Sequence, residues 1–346
     1  MDKQTTEHDL LTQAIAAAQT LGVEVEWVDQ KPRTGTRRAD AAIDLRVGNE
    51  RKRYLVEVKK GLRPATLGVV LLQLEELKQW DNPVMLVTDH VTPQLAETLR
   101  KRDVTFLDTA GNAYINAPPV LIWVKGQRLP EKIPAKAAEG RALQGKGLRV
   151  VFALLCGPEW VDKPYREIAN LAGVAHGTVG WVMTDLERMG FLIELQGRRR
   201  LRNRRRLLDM WVEAYARVLM PKLLLGRYRA PKREWWKEVT VEEYGLQLGA
   251  EPAAEKIDGY LRPGVATFYA DEVPGKFIAD YQLRTDPKGD VELRERFWNF
   301  DYDWPWPALV PPVLIFADLL ALGDARCVEA ARRIYEQHLA GLFEQG

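Results

Sequence analysis

The sequence predicts a multidomain α/β and α+β chain, and three observations carry that reading. Residues 23–125 alternate short β-rich runs with helical periods, residues 126–147 lose apolar periodicity, and the segments that follow are helical, then densely basic, then mixed. With 346 residues, the chain exceeds one ordinary core. Hydrophobic residues at 46% and charged residues at 28% describe a folded globular protein.

The elements follow in order. An amphipathic helix over Leu10 to Leu21 precedes three strands, "VEVEWV", "AAIDLRV" and "RYLVEVKK". Helix "TLGVVLLQLEELKQW", strand "PVMLVTD" and helix "TPQLAETLRKR" come next, then strands "VTFLDT", "NAYIN" and "VLIWVK". Three strands followed by alternating helix and strand predict a mixed sheet with helices packed on it. The Gly/Pro/Lys/Ala-rich stretch after them reads as an inter-domain linker over 126–146.

In "AAIDLRVGNERKRYLVEVKK", Asp44 and Arg46 share one strand face, and Leu55, Glu57 and Lys59 share a face of the next. A turn centred near Glu50 and Arg51 would put Asp44 opposite Glu57 and bring two carboxylates and an ammonium together. Such a group can hold a divalent cation and offset charge developing at a phosphate. The plain alternative is a same-face Glu57–Lys59 ion pair on an exposed strand, of little consequence.

After the linker, "GLRVVFALLC" predicts an apolar-faced helix. In "KPYREIANLAGVAHGTVGWVMTDLERMGFLIE", Pro164 suits a helix start and Ile168 and Leu171 are buried positions. Ala169 allows two helices to cross closely, and Gly173 permits a sharp turn. Val179 and Val182 continue the apolar side, which is helix-turn-helix spacing with His176, Thr178, Trp181 and Thr184 on the exposed face. "FLIEL", "QGRRRLRN" and "RRRLL" then read as strand, turn and return strand, a basic wing with turn residues Gly197 and Asn203. Its seven arginines, Arg198, Arg199, Arg200, Arg202, Arg204, Arg205 and Arg206, stand in a chain of net charge only +2. Charge this segregated favours a polyanionic partner, with guanidinium groups on phosphates or in a minor groove beside the recognition helix.

The last region reads as α+β and ends in two helices broken at "LGD". Asp324 is expected to cap the second, Asp318 lies in an apolar helical run, and Trp304 and Trp306 mark either core or a partner surface. Cys156, Cys327 and the four histidines give no metal-ligand spacing, and no apolar run approaches the ~20 residues that span a bilayer. A cytoplasmic location is therefore expected.

Two resemblances sharpen these readings. Asp44, Glu57 and Lys59, with Gln73 on the following helix, resemble the PD-(D/E)xK or restriction-endonuclease-like fold over residues 1–125. That resemblance implies Mg²⁺ held by Asp44 and Glu57 if the domain cuts DNA. "FLDTAGNAYIN", the winged helix, "GAEPAAEKIDGYLRP" and "VPPVLIFADLLALGDARCVEAA" are similar to AbiEi-family antitoxins of type IV toxin-antitoxin systems. In that family's recurrent turn, Asp108, Gly111 and Asn112 have the role of a β-turn with unusual dihedrals at Gly111 and Asn112.

The domains expected are a restriction-endonuclease-like 1–125, a linker 126–146, a winged helix-turn-helix 147–212 and an α+β 213–346. The function expected is a DNA-binding transcriptional regulator repressing its own operon. It would need no cofactor for binding duplex DNA, would be functionally linked to a nucleotidyltransferase-like toxin, and has a homodimer among its expected assemblies. The alternative is a Mg²⁺-dependent nuclease targeted by the winged helix; a pure interaction scaffold explains the arginines poorly.

Overall fold

The computed structural model describes residues 7–30, 33–34, 37–47, 50–78, 82–118, 120–128, 141–232 and 235–343. Residues 129–140 of the expected linker and the first residues of the chain lie outside the described set. The chain divides into two compact units, 1–138 and 139–346.

The first unit is a seven-stranded mixed sheet. Its strands, in sheet order, are β1 (Glu24–Gln30), β2 (Ala41–Val47), β3 (Glu50–Lys59), β4 (Val84–Thr88), β5 (Phe106–Asp108), β6 (Ala113–Ala117) and β7 (Val120–Val124). β3, β4 and β5 run parallel at the centre, with antiparallel pairs on both sides. A parallel centre demands cover on both faces, because crossover helices and buried strands come together. α1 (Glu7–Gln19) lays Leu10, Leu11, Ala14 and Ala18 on the face of Tyr54, Val56 and Val58. α2 (Pro64–Lys78) and α3 (Pro93–Lys101) cover the opposite face, where Leu55 and Leu86 lie. Period-two alternation in β3 thus divides its side chains between two cores.

The second unit opens with helices α4 (Gly147–Cys156), α5 (Tyr165–Leu171) and α6 (His176–Arg188). A two-stranded hairpin of β8 (Leu192–Leu195) and β9 (Arg198–Leu201) follows, then α7 (Arg204–Ala214). The remainder is a five-stranded sheet in the order β11-β12-β14-β10-β13. Its strands are β10 (Leu224–Arg229), β11 (Gln247–Leu248), β12 (Ala266–Ala270), β13 (Arg284–Thr285) and β14 (Val291–Glu295). α8 (Ala250–Asp258), α9 (Gly275–Asp280), α10 (Pro312–Leu322) and α11 (Ala325–Ile334) complete it.

Position 212, where the sequence suggests a boundary, falls inside α7. An aromatic core crosses that point: Phe152 of α4 stacks on Trp211 of α7 at 5.3 Å between ring centroids and meets Phe297 at 4.9 Å. The Trp211 indole donates to the Leu148 carbonyl at 2.9 Å. Each such ring buried contributes about 1.5–3 kcal/mol, so the helices and the α+β layer share one core. α10 and α11 break at Gly323, whose φ of 71° ends one helix in the left-handed region. Asp324 then caps the next through the amides of Arg326 and Cys327, as expected. No described helix is long and apolar enough to cross a membrane.

Candidate nucleic-acid interface and acidic site

α5 and α6 meet across Gly173, which has φ 60°, a value glycine adopts without strain. The turn is closed by Val174 N–H donating to the Ala169 carbonyl at 3.0 Å, beneath the small side chain expected there. Val179, Val182, Met183 and Leu186 form the buried side of α6. Its exposed side carries His176, Gly177, Trp181, Thr184 and Arg188, with Gly180 half-buried. Trp181 is 50% exposed, whereas Thr178 is only 8% exposed. Thr178, expected on the reading face, is therefore corrected to the buried side. It lies one residue before Val179 at the N-terminal turn, where the helix has already rotated inward. Thr184 is exposed, and its hydroxyl donates to the Gly180 carbonyl at 3.1 Å. A Cβ added at Gly177 or Gly180 would meet nothing within 4 Å, so packing within the chain requires neither glycine.

The hairpin turns at Gln196 and Gly197, with φ of 53° and 75°, the paired positive dihedrals of a two-residue hairpin turn. Pairing Leu192↔Leu201 and Leu195↔Arg198 makes Arg198 and Arg200 share one face, and Arg199 and Leu201 the other. Arg199 turns inward: its backbone amide donates to Asp162 Oδ1, its guanidinium donates to the Lys163 carbonyl at 2.7 Å, and it lies 4.7 Å over the Tyr165 ring. Arg198, Arg200 and Arg202 are exposed.

The return strand expected over Arg204–Arg206 is instead the first turn of α7. Asn203 adopts a left-handed φ of 50° and ends the hairpin, and Leu207, Leu208, Trp211 and Val212 have helical spacing. Arg205 bonds Asp209 at 3.2 Å and lies 4.1 Å over Tyr335. The seven arginines thus split between a hairpin and a helix start. Cations at a helix N-terminus oppose the helix dipole, a cost that a bound anion would offset.

In the first unit, strand register overturns the expected Asp44–Glu57 pair. β2 and β3 pair as Val47↔Glu50, Asp44↔Arg53 and Ala41↔Val56, so the hairpin turns earlier than the sequence reading placed it. Asp44 is buried beneath Arg51 and Arg53, which donate to its carboxylate at 2.7 and 2.8 Å. Hydrogen bonds from Arg53 hold its carboxyl below the usual aspartate range.

The acid near Glu57 is Asp40, which the sequence reading missed. Val58 N–H donates to Asp40 Oδ2 at 2.9 Å, and Asp40 N–H donates to the Val56 carbonyl. Burial first, and then the charges of Glu57 and Glu7, push Asp40 up to about 7, against a smaller pull from Lys59. Glu57 pairs with Lys59 at 3.1 Å, the same-face pair of the plain alternative, but Glu57 is buried and not on the exposed strand that alternative supposed. Gln73 is fully buried on α2, the helix covering the face that Glu57 shares with Leu55. Its Oε1 and Nε2 have no hydrogen-bond partner. In the sequence, Gly48-Asn49 is of the dipeptide type common in two-residue hairpin turns; both residues lie outside the described set.

At the end of the same sheet, Asp108 accepts from the amides of Val91, Ala110 and Asn112 and from Asn112 Nδ2. Gly111 has the expected left-handed φ of 89°. Asn112, expected to share that conformation, is not among the residues of positive φ. It acts as a side-chain clamp, accepting from Gln127 N–H and donating to the Gln127 carbonyl. The clamp fastens the chain where it leaves the sheet.

In the second unit, Asp318 is fully buried on α10. Tyr215 donates to it at 2.7 Å, Tyr269 at 2.9 Å and Arg294 at 2.8 Å. Trp304 and Trp306 lie half-buried, 5.2 Å apart, with His338 between 5.3 and 6.1 Å from them. Among the described residues, Glu251, Asp324 and Cys327 form the one group of three with metal-ligand proximity. The helix-capping amides already occupy Asp324 Oδ1 there.

No curated protein and no solved structure matches the chain. Residues 200–340, from the end of the hairpin through α11, match the family model described as "Transcriptional regulator, AbiEi antitoxin, Type IV TA system", the family whose resemblance the sequence carried.

Proposed function

We propose that the chain is a DNA-binding transcriptional regulator of the AbiEi antitoxin kind, repressing its own operon, with residues 147–212 acting as a winged helix-turn-helix. The observation that carries this reading is the sorting of the wing arginines. Arg199 is spent on fastening the wing, while Arg198, Arg200 and Arg202 are exposed beside a helix whose outer face bears Trp181 and two glycines. Those cations neutralise phosphates, and α6 enters the major groove. The family match over 200–340 supports the regulator role, and a nucleotidyltransferase-like toxin is the functional counterpart it suggests. A homodimer would match a palindromic site.

The test is salt-dependent binding to a duplex spanning the chain's own promoter. Replacing Arg198, Arg200 and Arg202 with alanine should weaken binding and flatten the salt slope by about 2–3. An unchanged slope removes the wing from the interface. Gly180→Ala gives an opposed sign: it should stabilise the fold by up to about 1 kcal/mol while weakening DNA binding.

A second reading, a metal-dependent nuclease, rests on Asp40, Glu57 and Lys59 rather than on Asp44. Two carboxylates balanced by one lysine, with Gln73 polar atoms left over on the covering helix, suit a hard divalent cation. Asp40 and Glu57 would hold Mg²⁺, which when bound supplies Lewis acidity toward a phosphodiester. Lys59 would offset negative charge at the phosphate. Plasmid nicking with Mg²⁺ or Mn²⁺ should then vanish in Asp40→Ala and Lys59→Ala and persist in Asp44→Ala. Nicking that survives in Asp40→Ala sinks this reading.

A further inference from the structure

We infer that Arg141 reads a base edge in the major groove, held in a reading posture by Trp181. Arg141 opens a short 3₁₀ turn, Arg141–Leu143, just before α4. Its guanidinium lies 5.1 Å over the Trp181 indole on the outer face of α6, and Arg141 is itself exposed. The turn is fastened from below: Ala142 and Leu143 are buried, and Ala142 N–H donates to Asp185 Oδ2 of α6 at 3.1 Å. The backbone that bears Arg141 therefore moves with α6.

Among the described residues, no carboxylate pairs with this guanidinium. Asp185, which anchors the turn, is occupied by Ala142 and Arg188. An indole face beneath a guanidinium attracts its charge and limits its motion, and an arginine edge can donate two parallel hydrogen bonds to guanine O6 and N7. Gly177 and Gly180, with open space where a Cβ would be, leave Arg141 and Trp181 prominent on that face. A phosphate would also accept from Arg141. The position over Trp181, on a turn anchored to α6 and on the side of that helix away from its buried residues, favours the base edge, because phosphate contact needs only charge.

This inference rests on the winged-helix reading, and the experiment separates the two. A duplex is selected from a randomised pool with the full chain, and binding is compared with a scrambled duplex across a salt series. Arg141→Ala, Arg141→Lys and Trp181→Ala should each cut the selected-to-scrambled ratio roughly tenfold or more, with the salt slope nearly unchanged for Arg141→Lys. The Arg141→Ala/Trp181→Ala double variant should lose little beyond either single one, since the two act as a unit. Replacing Arg198 and Arg200 with alanine should instead weaken both duplexes alike. If Arg141→Lys retains the ratio, or Arg141→Ala weakens both duplexes equally, Arg141 is a phosphate contact or no contact, and the inference falls while the DNA reading stands. If the wild-type chain binds neither duplex, both fall.

Discussion

Two acidic clusters, one around Asp318 and one around Asp40 and Glu57, are treated differently by their surroundings. In the second unit Asp318 is fully matched, with Arg294 for its charge and two tyrosine hydroxyls for its remaining lone pairs. Burial pushes its carboxyl up, while Arg294 and the tyrosines pull it back. In the first unit Asp40 and Glu57 share one lysine, and Gln73 beside their sheet face leaves both polar atoms unmet. A satisfied buried network locks structure; an unsatisfied one marks a place where an outside group completes the bonding. The contrast separates a structural polar cluster from a candidate site without reference to sequence motifs.

The comparison yields a graded set of expectations. The largest effect should come from Asp318→Ala, which leaves Arg294 to Glu292 alone, takes the acceptor from two buried tyrosine hydroxyls and should cost about 3 kcal/mol in urea unfolding. A loss below about 1 kcal/mol would mean the network holds nothing.

Next comes Asp40→Asn. The folded-state carboxyl of Asp40, at about 7, lies above its ordinary 3.8. The stability it contributes is therefore fully present below that lower value and is lost as pH rises through about 7. The asparagine variant should match wild type near pH 4 and exceed it near pH 8 by on the order of 2 kcal/mol. A constant difference across that range would break the argument.

A smaller effect should follow from Mn²⁺ at neutral pH. At about tenfold excess over its dissociation constant, it should stabilise wild type by about 1.4 kcal/mol and leave Asp40→Asn unmoved, measured by thermal shift. Equal shifts in the two would place the ion elsewhere.

The smallest belongs to Asp44→Asn. Asp44 titrates below its usual range, so its contribution is present above pH 3.8 and disappears as pH falls past its lowered value. Its arginine partners are half-exposed, which limits the loss to about 1 kcal/mol or less at neutral pH.

Much of the fold is legible in local pattern. Every strand of the seven-stranded sheet lies within or against a β-rich run, because period-two alternation and flanking turn residues act over a few residues. The Gly173 turn and the Asp324 cap are legible for the same reason: φ preference and side-chain capping are properties of one residue and its near neighbours. The basic hairpin was legible only in its first half. The string of arginines looks uniform, and the left-handed Asn203 that divides strand from helix does so through a single dihedral.

What the sequence by itself determined is the order and type of the elements in the first unit's sheet, the segregation of cationic charge, and the Glu57–Lys59 pair two residues apart on one strand face. Only the tertiary structure decided which acid meets Glu57. A hairpin register displaced along the strand keeps the same faces yet changes every cross-strand partner, and it exchanged Asp44 for Asp40. It likewise decided that Thr178 is buried, that the Arg199 guanidinium is spent on Tyr165 and the Lys163 carbonyl, and that Arg141, outside any motif, lies over Trp181. These are contacts between segments, and their energies depend on distances that no local pattern encodes.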